Sequence, residues 1–188
     1  MSHKIEDWDI IFSLGGIVLK NVSGNILEIG IGVSSFIFSN LAKTYKRKYY
    51  ACDVNKDKCS RLTIDTPTAI VFNGRSLDFF KNTSESYSIK QEQFALILLD
   101  GDHTYPVVRA EVDFLLTRLN YGGLLFIHDT IKKSWDEVYL KTGTEDVYLV
   151  RKELENDPFL QVITFPYTAD NRGLTMVMQK DINVPTYK

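Results

Sequence analysis

Apolar and polar positions alternate along the chain in a way that predicts helices and strands in regular succession. Between Ile5 and Val22 the apolar residues recur at helical spacing, which predicts an amphipathic helix broken or kinked at Gly15-Gly16. Short apolar runs then alternate with helix-like stretches. Strands are predicted at residues 25–30, 49–53, 69–72, 94–100 and 124–128, and helices at residues 34–45, 56–62 and 105–119.

The apolar runs are continuous, as in parallel strands that are buried on both faces. After Asp129 the pattern changes, with a helix predicted at residues 147–154 and two strand-like runs at residues 160–165 and 174–179. The loop between these two runs is too short for a helical crossover, so the pair is predicted to be antiparallel. The pattern therefore predicts an α/β fold in which parallel strands are followed by an antiparallel pair.

Composition and charge narrow the possibilities. With 188 residues, 44% hydrophobic and 24% charged, the chain is predicted to be one domain over residues 1–188: an N-terminal helix (1–22), a catalytic core (23–180) and a loose tail (181–188). A net charge of −2 gives no bulk attraction to nucleic acid or an anionic membrane. The basic run at residues 43–48 is interpreted as a solvated helix end, with a local basic patch as the alternative. We expect a cytoplasmic protein, because no apolar stretch approaches 18 residues and the two cysteines form no disulfide framework.

A glycine-containing turn follows the first predicted strand. Gly30 and Gly32 let the backbone turn tightly and approach a ligand, and the helix that begins at Ser34 directs its N–H groups at the turn. Glu28 adds a carboxylate at the end of a buried strand, which suits a ligand bearing an ammonium group. A tight turn without a ligand is the alternative.

Two further strand ends carry polar residues. Asp53 ends the second strand, 23 residues beyond Gly30, where a carboxylate can accept hydrogen bonds from ribose hydroxyls; an N-cap of the following helix is the alternative. After the third strand, Arg75 or Ser76 is predicted to lie at the edge of a base. A plain loop capped by Ser76 or Asp78 is the competing interpretation.

The fourth and fifth strands each end in titratable residues. Asp100 ends the fourth strand and is followed by His103, while His128 ends the fifth strand and is followed by Asp129. If the strands are neighbours, roughly 5 Å apart, Asp100, His128 and Asp129 converge on one point and suit a divalent cation such as Mg²⁺ or Mn²⁺. The alternative is that Asp102 and Asp129 cap helices while the two histidines fill polar pockets.

The run Asp100-Gly101-Asp102-His103-Thr104-Tyr105, followed by Gly122-Gly123 and His128-Asp129, resembles the class I S-adenosyl-L-methionine-dependent methyltransferases. The closest resemblance is to the small-molecule O-methyltransferase group that includes macrocin O-methyltransferase. It implies a Rossmann-like three-layer sandwich with a seven-stranded, mostly parallel sheet and an antiparallel final strand. It also implies cofactor contacts from Glu28, Gly30, Gly32, Ser34, Asp53, Val54, Arg75, Ser76 and Asp100.

The resemblance further implies O-methylation of a small molecule, with Asp100, His128 and Asp129 as the ligands of an assisting metal. Two residues depart from the family pattern: Ser34 replaces a third glycine, and His128 stands where metal-dependent relatives carry an acid. His103 is the preferred catalytic base because its ordinary pKa is near 6.5, with His128 as the second choice and Asp100 also at the reacting centre.

The acceptor site is predicted to be built from the N-terminal helix and residues 130–146, in which Trp135 and Tyr139 face either a substrate or the core. We expect a small-molecule partner, neither nucleic acid nor membrane, and a homodimer as one assembly to test. Two other classes stay open: a nicotinamide-dependent oxidoreductase, and a non-catalytic cofactor-binding or scaffold protein.

Overall fold

The computed structural model describes residues 6–82, 89–131, 145–166 and 172–180. Seven strands form one sheet, and helices cover both of its faces. The strands are β1 (Asn25–Ile29), β2 (Tyr49–Asp53), β3 (Ala69–Asn73), β4 (Phe94–Leu99), β5 (Leu119–His128), β6 (Leu160–Phe165) and β7 (Leu174–Gln179). The helices are α1 (Asp7–Asn21), α2 (Ser34–Tyr45), α3 (Lys56–Asp65), α4 (Ser76–Lys81), α5 (Tyr105–Leu116) and α6 (Glu145–Glu155).

The strands lie in the order β3-β2-β1-β4-β5-β7-β6. Every neighbouring pair is parallel except those of β7, which runs antiparallel to both β5 and β6. All six residues of the central strand β4 are buried, as its continuous apolar run predicts. The predicted Rossmann-like, seven-stranded sheet with an antiparallel final strand is therefore confirmed.

Each face of the sheet packs against its own set of helices. Side chains of α1, α2 and α3 form one apolar layer, and side chains of α4, α5 and α6 form the other. None of the helices in the described ranges has both the length and the apolar character needed to span a membrane.

Three elements differ from their prediction. Helix α1 runs unbroken through Gly15, where a Cβ would lie 2.9 Å from Cδ2 of Leu96, so this glycine allows the helix to approach the sheet closely. Gly122-Gly123 does not precede the fifth strand but lies within it. Strand β5 pairs with β4 at Leu119 and again from Leu124, and residues 120–123 form an irregularity between the two. Helix α4, only six residues long, was not predicted.

Candidate active site

The ends of β1 and β4 are locked together at the carboxyl edge of the sheet. Gly30 adopts a left-handed backbone (φ 93°), and a Cβ there would overlap the carbonyl oxygen of Asp100. The N–H of Asp100 donates to the carbonyl of Ile29 at 2.8 Å. Conformation and close packing both require glycine at position 30. The glycine turn therefore lies directly beside Asp100.

Gly32 stands in a different environment. A Cβ built on this residue meets no atom within 4 Å, and its backbone is not in the left-handed region. Neither packing nor conformation demands glycine here, so the open space beside the turn is what a ligand would fill. This is the feature that a cofactor cradle needs.

Glu28 points into the protein rather than into that space. Its side chain is fully buried and accepts hydrogen bonds from the hydroxyls of Ser34, Tyr49 and Ser35, the last at 2.7 Å. Burial raises the pKa of Glu28 to about 7, against hydrogen bonds that lower it. Glu28 thus links the first residues of α2 to β2 through hydrogen bonds, and it stabilises the glycine turn from the buried side.

Asp53 also holds the turn. Its Oδ2 accepts a hydrogen bond of 2.8 Å from the N–H of Ile31, and its Oδ1 accepts one of 2.7 Å from the N–H of Asn55. The N-cap of α3 is Asn55, which accepts from the N–H groups of Asp57 and Lys58, so the N-cap alternative for Asp53 is wrong. Nζ of Lys58 also lies 3.5 Å from Oδ2 of Asp53. Because a carboxylate offers about four lone-pair sites, Asp53 still has room to accept one further hydrogen bond from a ligand.

The remaining predicted cofactor residues lie at the same edge. Val54 is 69% exposed and follows β2 directly, while Arg75 is exposed and immediately precedes α4. Ser76 is buried at the start of α4 and hydrogen-bonds the side chain of Glu111. Burial raises the pKa of Glu111 to about 7. Sequence reasoning missed Glu111 because an acid in the middle of an amphipathic helix gives no sign that it faces inward.

Asp100, His103 and Asp129 come together at the ends of β4 and β5, and we call these three residues the acidic cluster. One potential ligand atom from each lies within 4.8 Å of the others. Nδ1 of His103 is 3.5 Å from Oδ2 of Asp129, which is almost fully buried and has a left-handed backbone (φ 58°). Burial and the charge of Asp100 raise the pKa of Asp129, whereas the charges of His128 and Arg172 lower it. A non-glycine residue in this conformation is uncommon, and such strain concentrates at functional sites.

His128 converges with Asp100 and Asp129, as the sequence predicts. Its buried ring lies between carboxylates: Nε2 is 3.2 Å from Asp7, and Nδ1 is 3.2 Å from Asp100 and 3.4 Å from Asp129. Burial lowers the pKa of His128, but hydrogen bonds to Asp100 and Asp7 and the nearby negative charges raise it to about 10. Each nitrogen of the ring thus faces a carboxylate oxygen. The acidic cluster contains His103 and not His128.

Two contributors to this site come from distant parts of the chain. The first turn of α1 supplies Asp7 and also Trp8, whose ring stacks on His128 at a centroid separation of 5.4 Å. Arg172, just before β7, places Nη1 3.8 Å from Oδ2 of Asp129. No local pattern signals such contacts. Most of the predicted lid at 130–146, with Trp135 and Tyr139, lies outside the described residues.

The alternative in which Asp102 caps the next helix is wrong. The N-cap of α5 is Thr104, and its side chain makes no capping bond. Asp102 instead accepts hydrogen bonds from the N–H and the hydroxyl of Thr104 at 2.8 and 2.6 Å. Asp102 thus orders the loop before α5 and is not part of the acidic cluster.

A groove of about 1350 Å³ begins at Gly32 and runs between α2 and α3. Five cationic side chains and one carboxylate line it, whereas Asp100, His103, His128 and Asp129 do not. The basic run at residues 43–48 is not solvated throughout, because the Arg47 side chain donates hydrogen bonds to the carbonyls of Leu19 and Val22. The groove is thus separate from the acidic cluster, and the glycine turn adjoins both.

Comparisons with known proteins agree with this geometry. The sequence profile of a family described as a methyltransferase domain matches residues 27–130, which span β1 to the end of β5. A search of curated proteins finds no match.

Solved structures share the fold at low sequence identity. A protein from Corynebacterium glutamicum is 16% identical with a TM-score of 0.69, covering 95% of this chain and 83% of that one. An O-methyltransferase from Bacillus cereus, solved with SAH, is 15% identical with a TM-score of 0.69, covering 96% and 84%. The O-methyltransferase TomG from Streptomyces achromogenes, solved with SAM, is 14% identical with a TM-score of 0.64, covering 90% and 79%.

Proposed function

Because the chain belongs to the methyltransferase-domain family, whose profile covers more than half of it, we propose that it transfers a methyl group from S-adenosylmethionine (SAM) to a hydroxyl oxygen of a small molecule. One observation carries this proposal: Gly30 packs directly on Asp100, so the glycine turn and the acidic cluster form a single site. Two of the similar structures are O-methyltransferases, which supports oxygen as the methylated atom.

The cofactor cradle is the edge formed by the ends of β1, β2 and β4. The open space beside Gly32 would admit the methionine part of SAM, and the spare acceptor capacity of Asp53 would bind a ribose hydroxyl. Val54 would cover the adenine, with Arg75 and Ser76 at its edge. Glu28 and Ser34 act from beneath by fixing the turn through their mutual hydrogen bond.

The acidic cluster is the acceptor side of the same site. SAM supplies an electrophilic methyl group, so that the acceptor oxygen forms its bond to carbon as the carbon–sulfur bond breaks and the electron pair stays on sulfur. Asp100 would lie near the sulfonium charge. His103 is half-buried with Nδ1 facing Asp129, and we assign its Nε2 to take the proton of the acceptor hydroxyl. Burial and pairing of the His128 ring favour His103 as the base.

A cation-assisted transfer is the second candidate, favoured by the three ligand atoms of Asp100, His103 and Asp129 within 4.8 Å. Two carboxylates and an imidazole suit Mg²⁺ or Mn²⁺, and a bound cation would lower the pKa of the acceptor hydroxyl. In that case His103 is a ligand and not the base.

Titration calorimetry with SAM and with NAD tests the proposal first. We expect SAM to bind and NAD to show no heat of binding, whereas the reverse result would indicate an oxidoreductase. A screen of hydroxyl-bearing acceptors with methyl-labelled SAM then tests transfer. SAM binding without transfer to any acceptor would favour the non-catalytic alternative. Parallel reactions in EDTA separate the two mechanisms, because only the cation-assisted one stops.

A further inference from the structure

The first turn of α1 reaches into the candidate site from outside the segment that the family profile covers. Asp7 lies 20 residues before residue 27, where the match begins, and its side chain is 3% exposed. Its Oδ2 lies 3.2 Å from Nε2 of His128, a residue 121 positions further along the chain. A buried carboxylate is costly unless it is paired, and the contact with His128 offsets part of that cost through Oδ2.

The His128 ring connects Asp7 to Asp100, at the carboxyl end of β4. Nδ1 of His128, on the opposite side of the ring, lies 3.2 Å from Oδ1 of Asp100. Trp8 stacks on the ring with an interplanar angle of 15°, which limits its tilt. The three side chains Asp7, His128 and Asp100 thus form one continuous chain from α1 to the end of β4. In it, the orientation of the ring is set by Asp7 on one side and by Trp8 on its face.

We propose that Asp7 is a positioning residue, which acts through the His128 ring to hold the Asp100 carboxylate in the orientation needed to bind SAM. The inference rests on the proposed function, in which Asp100 lies beside the sulfonium. Imidazole orientation set by a second hydrogen-bonding partner is a general feature of histidines in functional sites. Asp7 itself needs no contact with the ligand for this role.

A double-mutant cycle on SAM affinity tests the inference, since residues acting through one network give non-additive losses. We expect Asp7→Ala to weaken SAM binding about tenfold, and Asp100→Asn to weaken it at least as much. The double variant should bind no worse than Asp100→Asn alone, because Asp7 has no effect once Asp100 can no longer respond. Additive losses would overturn the inference and leave the methyltransferase proposal intact.

Two further variants guard against a simple loss of folding. Asp7→Asn keeps an acceptor oxygen at the same place and should weaken SAM binding about threefold, with the same non-additivity; it serves as the test if Asp7→Ala does not fold. Asp9→Asn makes the same charge change two residues along the helix, on an exposed side chain, and should bind SAM like the wild type. Wild-type affinity in Asp7→Asn and Asp7→Ala would contradict the inference. Failure of the wild type to bind SAM would instead overturn the proposed function.

Discussion

The α-carbon of Gly30 lies so close to the carbonyl oxygen of Asp100 that no side chain fits between the two strand ends. Gly32, two residues later, faces open space. One glycine therefore serves the packing of the protein, and the other leaves room beside the turn. The two positions give opposite expectations for the same substitution.

Gly30→Ala should lower the free energy of unfolding by at least about 2 kcal/mol, because it combines a left-handed backbone with a steric overlap. Gly32→Ala should have a free energy of unfolding within about 0.5 kcal/mol of that of the wild type, but it should bind SAM about tenfold more weakly. Chemical denaturation and calorimetry measure the two effects. A stable Gly30→Ala variant, or full SAM affinity in Gly32→Ala, would contradict this division of roles.

Glu28 predicts a pH dependence of stability. Burial raises the pKa of Glu28 from 4.5 to about 7. Below pH 4.5 Glu28 is protonated in both the folded and the unfolded chain, and its contribution to the free energy of unfolding is then at its maximum. Between about pH 4.5 and 7 the unfolded chain releases the proton first, and stability falls as pH rises through the folded pKa. The loss is roughly 3 kcal/mol, reached above about pH 7.

The comparison with Glu28→Gln isolates this effect, because the amide does not titrate. Denaturation of both proteins from pH 4.5 to 7.5 should show the difference in unfolding free energy moving in favour of the variant. The buried acid Glu111 is present in both proteins and cancels. A difference that is constant over the range would show that Glu28 does not titrate there.

His103→Ala should leave SAM affinity unchanged and cut turnover roughly 10²-fold or more, the usual contribution of a general base. The rates are best measured in EDTA, so that loss of a bound cation does not explain the decrease. His103→Gln, which keeps a polar side chain but no base, should fall equally. Turnover at the wild-type rate in either variant would remove His103 from the proton transfer.

The cation-assisted alternative makes its own prediction. If Asp100, His103 and Asp129 form a site, Mn²⁺ binding followed by electron paramagnetic resonance should weaken at least tenfold in His103→Ala and in Asp129→Asn. Asp113→Asn, an exposed acid on α5 that pairs with Arg109, is the matched control and should bind Mn²⁺ as the wild type does. Equal binding in all four proteins would place the cation elsewhere.

The sequence predicts strands better than side-chain partners. The bounds of β2, β6 and β7 agree with the apolar runs. In β2 and β7 most residues are buried, which leaves a continuous signal. The irregularity within β5 escaped prediction since two adjacent glycines also suit a turn. The choice between His103 and His128 depends on the pairing of His128 with Asp7, a contact between residues 121 positions apart, which no local pattern encodes.

The position of β7 has a consequence for how the protein is made. The strand synthesised last in the sheet lies between β5 and β6, and β6 pairs with β7. Until residues 174–179 leave the ribosome, β5 presents an open apolar edge and β6 lacks this partner. An unpaired edge of this kind templates association with other chains. A nascent chain that stalls before β7 is therefore expected to need chaperone protection, although most of its core residues have already been synthesised.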